Sequence, residues 1–385
     1  MNYESVIREN QSNKLLQLEL TTRYTIFMKE RVLVAMSGGV DSAVAAALLT
    51  QQGYDVIGVT LRLYTEPDDT TLRSGRTCCG IEDIGDAKAA AQQIGIPHYV
   101  LNMEQEFEKH VLTPFVESYV DGRTPNPCLN CNQYVKFSTL LDRAIAIGAD
   151  RLATGHYARR ERDNAHHFHL HKAHDDEKDQ SYVLYTLDQS ALEFTLFPLG
   201  DIEKTNTREI AREYKLPLSE KPDSVDICFV PGGDYREILH AKGIEPVAGS
   251  IQNTTGETIG THSGITNYTV GQRRGLGVQS SIPQYVTKID AERNIVVIGS
   301  DKDLLSKSLT ASEPHWVYQP PIIGERLSAR IRYHSEELTA CITALSSTHF
   351  SLSFDSPARA VTPGQAVVLY RNTEVVGGGT IERAS

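Results

Sequence analysis

Three short segments of this chain carry residue types that do chemistry. The first is GRTPNPCLNCN (122–132), where Cys128 and Cys131 form a CxxC just before the helical pattern KFSTLL. A thiol at a helix entry has its pKa lowered by the helix dipole, so this segment is suited to thiolate chemistry. The second is KPDSVDICFVP (221–231), a Pro- and Asp-containing loop with Cys228. The third is AMSGGVDSAVAAALL (35–49), a turn between a strand-like and a helix-like run. Nothing in the spacing says that the two cysteine loops meet.

The third segment has the form of an anion site. Gly38 and Gly39 let the backbone turn sharply and approach a ligand closely. The first amides of the following helix and its dipole then face the anion. Ser37 and Ser42 add hydroxyls, and Asp41 offers a carboxylate to a divalent cation. The segment lacks the lysine of GxxxxGK[ST] and does not match GxGxxG. SGGVDS after a strand instead resembles the loop of the PP-loop ATP pyrophosphatase superfamily. That resemblance implies that residues 35–42 (Ala35, Met36, Ser37, Gly38, Gly39, Val40, Asp41, Ser42) bind ATP with Mg2+ at Asp41. It also implies that Leu61, near the end of the next strand, lies by the adenine. ATGHY puts Gly155 and His156 at the end of a later strand, where ligands of open α/β sheets bind.

The elements that must position these residues change character along the chain. RVLVAM (31–36), DVIGVTLRLY (55–64), HYVLNM (98–103) and DRLATGHY (150–157) read as strands. They alternate with helical runs at 42–53, 81–95, 104–122 and 136–148. That alternation predicts a parallel sheet covered on both faces. After about residue 219 short β-rich runs separated by Gly, Pro, Asn and Asp predict small antiparallel sheets or a barrel. The expected organisation is an N-terminal extension (1–29), a PP-loop domain (30–218, its cysteine loop reaching about 232), a central β-rich domain (219–302) and a C-terminal β-barrel (303–385). No apolar run reaches the length of a membrane span, and the first residues lack the pattern of a secretion signal, so a cytoplasmic location is expected.

The net charge of −11 argues against nonspecific coating of nucleic acid. Local basic groups remain: Arg159, Arg160 and Arg162; Arg273 and Arg274; Arg330 and Arg332. Each alone reads as a solvated face. Six cysteines in a cytoplasmic chain point to catalytic, redox or metal roles before a disulfide framework.

TPNPxxxCN, a later DSxxxCF, SGGVDS, ATGHY and EKDQSYVLY together resemble the tRNA-specific 2-thiouridylase family. The likeness continues through YTVGQRRGLG (268–277), YVTKID (285–290), RIRYH (330–334) and TPGQAVVLY (362–370). It implies that ATP adenylates the C2 oxygen of the wobble uridine in tRNAs for Lys, Glu and Gln. Cys228 then delivers sulfur as a persulfide received from a donor protein. Cys131 is the nucleophile that ends in a transient disulfide with Cys228. It further implies that Asn126, Pro127, Cys128 and His156 surround the target base, and that Lys178, Asp179, Gln180, Arg332, Tyr333 and Gln365 contact tRNA.

Cys128 departs from the family, many members of which carry an acidic residue there. Asp226 is a possible substitute. Cys78, Cys79 and Cys128 also raise an iron–sulfur cluster or zinc as an alternative to spare thiols. Cys341, in LTACITAL, reads as a core residue. Two other functions stay open: a PP-loop synthetase acting on a small metabolite without need of the cysteines, and a tRNA-binding or sulfur-carrying protein that does not turn over ATP.

Overall fold

The computed structural model describes residues 29–64, 81–223, 227–230 and 233–384. The expectations for the N-terminal extension and for Cys78, Cys79 and Asp226 lie outside these residues.

The β-branched run Arg31–Ala35 forms strand β1, whose central residues Val32, Leu33 and Val34 are buried. Strands β2 (Asp55–Arg62), β3 (His98–Asn102) and β4 (Arg151–Thr154) follow, with helix α1 (Val40–Gln51) and helix α2 (Ile81–Ile94) in the connections. A hairpin of β5 (Arg159–Arg162) and β6 (Phe168–His171) precedes the short β7 (Thr195–Leu196). The parallel sheet has the order β3-β2-β1-β4-β7. The chain leaves β1 toward β2, while β1's other neighbour, β4, arrives much later. The carboxyl end of β1 is therefore the switch point where such sheets bind ligands.

Three helical pieces run end to end from Glu104–Phe107 through Glu108–Leu112 to Thr113–Val120, forming α3. Three more, Pro127–Asn130, Cys131–Leu140 and Leu141–Ala146, form α4. Each contains a π-type middle segment, a feature that often marks functional sites. The expected helix at 136–148 thus starts earlier, at Pro127. Asn126 is its cap, its side-chain oxygen accepting from the Cys128 amide at 3.2 Å. Both cysteines of the CxxC are consequently helical rather than in a loop.

The central sheet has the order β10-β11-β8-β9, built from β8 (Gly249–Asn253), β9 (Thr258–His262), β10 (Tyr285–Asp290) and β11 (Ile295–Gly299). Ile251, Val286, Val296 and Ile298 form its core. The last region is a six-stranded antiparallel barrel, with β12 (Leu305–Trp316) closed against β17 (Glu374–Ala384). Between them in the barrel lie β13 (Arg326–Arg330), β14 (Leu338–Leu345), β15 (His349–Arg359) and β16 (Ala366–Arg371). One connection was not expected: the β5–β6 hairpin of the nucleotide domain joins this sheet, His171 pairing with Glu374. Cys341 is half-buried on β14 rather than in the core. No helix among the described residues is long and apolar enough to cross a membrane.

Candidate active site

The turn after β1 is built as its sequence suggests. Gly38 has φ +75°, and a Cβ there would lie 2.3 Å from the Asp83 carbonyl oxygen. Glycine is needed at this position for both conformation and space. Gly39 caps α1 without a side-chain hydrogen bond. The Ser42 hydroxyl accepts from the Ser37 amide at 3.1 Å and donates to the Gly39 carbonyl at 3.2 Å, closing the turn on itself. Met36 is a core residue whose carbonyl accepts from the buried Thr60 hydroxyl at 2.8 Å. Leu61 is also buried, at the end of β2. Gly155 directly follows β4, and a Cβ there would sit 2.6 Å from the Ser42 amide nitrogen. Its smallness lets β4 abut the first turn of α1.

Asp41 is not isolated. Lys204, the first residue of helix α6 (Lys204–Glu213; α5 is Gln189–Phe194), donates to both its oxygens at 2.6 and 2.8 Å. The Tyr157 hydroxyl donates to Asp41 at 2.9 Å. Lys204 also pairs with Asp223 at 2.9 Å, which in turn pairs with Lys178 at 3.0 Å and Arg208 at 2.8 Å. Burial works against ionisation of Asp223, but the hydrogen bonds from Lys204 and Lys178 overcome it and hold its carboxyl below the usual range. Lys221 reaches the Gly38 carbonyl at 3.0 Å and the carboxylates of Asp83 and Asp86 at 2.6 Å each. The segment leading to Cys228 is thus tied to the phosphate turn at two points. Lys204, Tyr157, Thr60 and Lys221 were not picked out in the sequence. Tyr157 and Lys221 lie within ATGHY and KPDSVDICFVP, but neither motif points to these residues, and Lys204 and Thr60 lie in no motif.

The thiols are placed by apolar packing. Cys131 is buried, while Cys128 and Cys228 are half-buried and pack on the same core cluster. Phe229, next to Cys228, stands edge-on to both Phe107 and Phe115 of α3, with ring centroids 5.2 and 5.3 Å away. That geometry is the favoured one for aromatic pairs. Asn132 is buried and bridges α4 to the following region, donating to the Val183 carbonyl at 2.8 Å and accepting from Lys136 at 3.0 Å. His156 bonds Thr154 through Nδ1 at 2.9 Å. Loss of hydration, then the Lys136 charge, pushes its pKa well below the ordinary histidine value, so the ring is neutral. Among the described residues there is no disulfide.

The residues expected to meet tRNA are brought together in part. Lys178 points to Asp223. Asp179 is buried, accepting from the Ala173 and Ser181 amides, the Ser181 hydroxyl and Arg330. Gln180 exchanges hydrogen bonds with the Tyr157 backbone at 2.9 and 2.8 Å. Its side chain also bonds Tyr333, whose hydroxyl lies near enough to Cys128 to feel its charge. Burial first, then Asp179 and Cys128, pushes the Tyr333 pKa up to about 12. Gln365 donates to the Thr124 and Pro125 carbonyls at 2.8 and 3.2 Å, clamping the barrel onto the TPNP segment. Arg332 donates to the Val270 and Ala360 carbonyls and the Thr362 hydroxyl, joining the central sheet to the barrel. Arg160 donates to the Leu192 and Glu193 carbonyls. Arg273 and Arg274 are both exposed.

Among the described residues no group of three or more His, Cys, Asp or Glu is arranged to hold a metal ion. Of the suggested cluster ligands only Cys128 is described, and it lies against Tyr333 and the apolar core.

A glycine turn at the switch point of a parallel sheet, with a carboxylate at the helix entry, defines an ATP-using enzyme of the PP-loop class. Family models match three successive parts of the chain. One described as a tRNA methyl transferase HUP domain covers residues 30–232, and one described as a tRNA methyl transferase PRC-barrel domain covers 238–300. One described as an aminomethyltransferase beta-barrel domain covers 306–381. The tRNA-specific 2-thiouridylase MnmA of Symbiobacterium thermophilum is 45% identical over 361 residues, 92% of this chain and 93% of that protein. Its namesake in Moorella thermoacetica is 47% identical over 354 residues, 91% of this chain and 99% of that protein. The chain belongs to the tRNA-specific 2-thiouridylase family.

Proposed function

We propose that this protein makes 2-thiouridine in tRNA, at the wobble uridine of tRNAs for Lys, Glu and Gln. The observation that carries the reading is the pinning of the Cys228 segment to the phosphate turn while Cys228 and Cys131 pack on one apolar cluster. A ring carbonyl is a poor electrophile because its oxygen leaves badly. In the proposed reaction the uridine C2 oxygen attacks the α-phosphorus of ATP, and pyrophosphate leaves. The adenylated oxygen then departs as AMP when the terminal sulfur of a Cys228 persulfide attacks C2. The Cys131 thiolate attacks Cys228 Sγ, releasing the thiolated base and leaving a Cys131–Cys228 disulfide. A two-electron reductant reopens it.

The turn supplies amides and the hydroxyls of Ser37 and Ser42 for the phosphates. Asp41 is a hard oxygen donor fit for Mg2+, which would neutralise phosphate charge when bound with ATP. Asn126, Pro127, Cys128 and His156 surround the flipped base in this reading, with neutral His156 available as a hydrogen-bond partner. Gln180 and Tyr333 line the path from the barrel, and Lys178, Asp179, Arg332 and Gln365 hold that path in shape. Exposed Arg273 and Arg274 suit the tRNA backbone. The persulfide comes from a separate donor protein, and the location is cytoplasmic. Incubation with unmodified tRNA, ATP, magnesium, a persulfide-bearing sulfur donor and a dithiol reductant, followed by nucleoside analysis, tests the reading. Absence of 2-thiouridine in the wild-type reaction defeats it.

A further inference from the structure

We propose that Lys204 is a positioning residue that couples occupancy of the ATP loop to the placement of Cys228. The inference rests on the reading of residues 35–42 as the ATP loop. Lys204 has a side chain only 10% exposed, and its ammonium is shared between two carboxylates. One, Asp41, belongs to the phosphate turn. The other, Asp223, lies five positions before Cys228. Lys204 thus bridges carboxylates of both segments, whereas Lys221 pairs with Asp83 and Asp86 and meets the turn only through the Gly38 carbonyl.

Asp223 is bound into its surroundings. Arg208, one helical turn after Lys204, holds the Ser219 and Lys221 carbonyls at 3.0 and 3.1 Å as well as Asp223. Residues 219–223 and the start of α6 therefore form one polar unit, and Cys228 follows five positions after Asp223 in the sequence. Asp41 touches this unit directly through its ion pair with Lys204, and indirectly through the Tyr157 hydroxyl, which also bonds Thr207 of α6 at 2.9 Å.

A polyphosphate and its accompanying cation change the charge at Asp41. The Asp41 carboxylate then has a competing partner, and Lys204 is left with Asp223. A buried ammonium cannot make up a lost carboxylate from bulk water, so its hydrogen bonds must redistribute within the network. The redistribution pulls on Asp223, and through residues 219–223 on the segment holding Cys228. In this way ATP sets the exposure of the sulfur-carrying thiol before any chemistry occurs.

The test uses the whole chain without tRNA or sulfur donor, so it is independent of whether thiolation is observed. The rate of iodoacetamide modification of Cys228 is read by peptide mass spectrometry, with and without magnesium and saturating α,β-methylene-ATP. Nucleotide saturation is checked separately by equilibrium binding, and Cys341 on the barrel serves as internal standard. In the wild type the nucleotide should change the Cys228 rate by at least about five-fold, the lower end of ordinary coupling between sites. In Lys204→Met, and separately in Asp223→Asn, which keeps the Asp41–Lys204 pair, that response should shrink to within about two-fold, while Lys204→Arg should keep most of it. An unresponsive wild-type Cys228, or a full response in Asp223→Asn or Lys204→Met at saturation, overturns the proposal. Failure to bind the nucleotide in the wild type would instead sink the ATP-loop reading.

Discussion

Around Asp41 the structure relies on short polar contacts: Lys204, Tyr157, Asp223 and Lys221 form a mesh of charges and hydroxyls. Around Cys131 and Cys228 it relies on rings and aliphatic side chains, with Phe229 between Phe107 and Phe115. The difference suits the proposed roles, a charged nucleotide at one end and a sulfur-bearing thiol at the other. A mesh of charges rearranges when a charged ligand arrives, because its members can trade partners. A packed aromatic joint anchors Phe229 itself and tolerates little change in volume. The phosphate end should therefore fail through charge and backbone conformation, and the thiol end through chemistry and shape.

The sharpest separation of the two ends is Cys228→Ser. It should lower 2-thiouridine formation by at least about three orders of magnitude, as loss of a covalent nucleophile does, while nucleotide affinity stays within about two-fold. Nucleoside analysis and equilibrium ATP binding on the same preparation check both halves. A variant that still thiolates tRNA breaks the assignment of sulfur transfer to this residue.

Shape is tested next. Phe229→Ala removes a ring that is 4% exposed and should cost roughly 3–5 kcal/mol in denaturant unfolding. Phe229→Leu should recover most of that loss. Equal stability of the alanine variant and the wild type would show that the joint is not what holds the cysteine segment.

At the phosphate end, Gly38→Ala places a side chain in the left-handed region and against the Asp83 backbone. It should weaken nucleotide binding about ten-fold or more, since left-handed strain alone is about 1–2 kcal/mol. Gly39→Ala is the control, because Gly39 has φ −95° and its Cβ would meet only the Ser37 hydroxyl at 3.4 Å. Its effect should stay under about three-fold. Equal losses in both variants would mean that the turn's backbone shape does not govern binding.

What the sequence reveals and what it hides divide along the same line. SGGVDS is legible because its chemistry is local: glycine, hydroxyl and helix entry lie within one turn of chain. The alternating strands and helices are legible because burial on both faces of a parallel sheet demands continuous apolar runs. Lys204 is not legible. It is a lysine opening an amphipathic helix, and its partner Asp41 is 163 residues away. Lys221 and Gly38 are separated by 183 residues. The β5–β6 hairpin escapes for a similar reason, since Arg159–Arg162 is polar and finds its sheet only through the pairing of His171 with Glu374. The start of α4 at Pro127 was readable in principle from Asn126 as cap and proline in the first turn, but the paired prolines of TPNP also read as a loop.

The smallest effect concerns His156, which lies between the two ends, bonded to Thr154 of the sheet and with its ring 6.0 Å from that of Phe137 on α4. Its folded pKa is depressed, by loss of hydration first and by Lys136 second. As pH falls through the ordinary histidine value, the unfolded chain takes up the proton before the folded one does. Stability attributable to this site is therefore intact at higher pH and lost below about pH 6.5, with a slope of at most about 1.4 kcal/mol per pH unit. His156→Gln removes that titration while keeping a polar group. Between about pH 7.5 and pH 5.5 the wild type should lose roughly 1 kcal/mol more than the variant in denaturant unfolding. Taking the difference cancels the other histidines, including His169, whose pKa is raised as the Glu374 and Asp163 hydrogen bonds outweigh its desolvation and so acts in the opposite direction. Parallel curves for wild type and variant would mean that His156 takes up its proton as easily in the folded protein as in water, and a neutral ring at the target base would no longer stand.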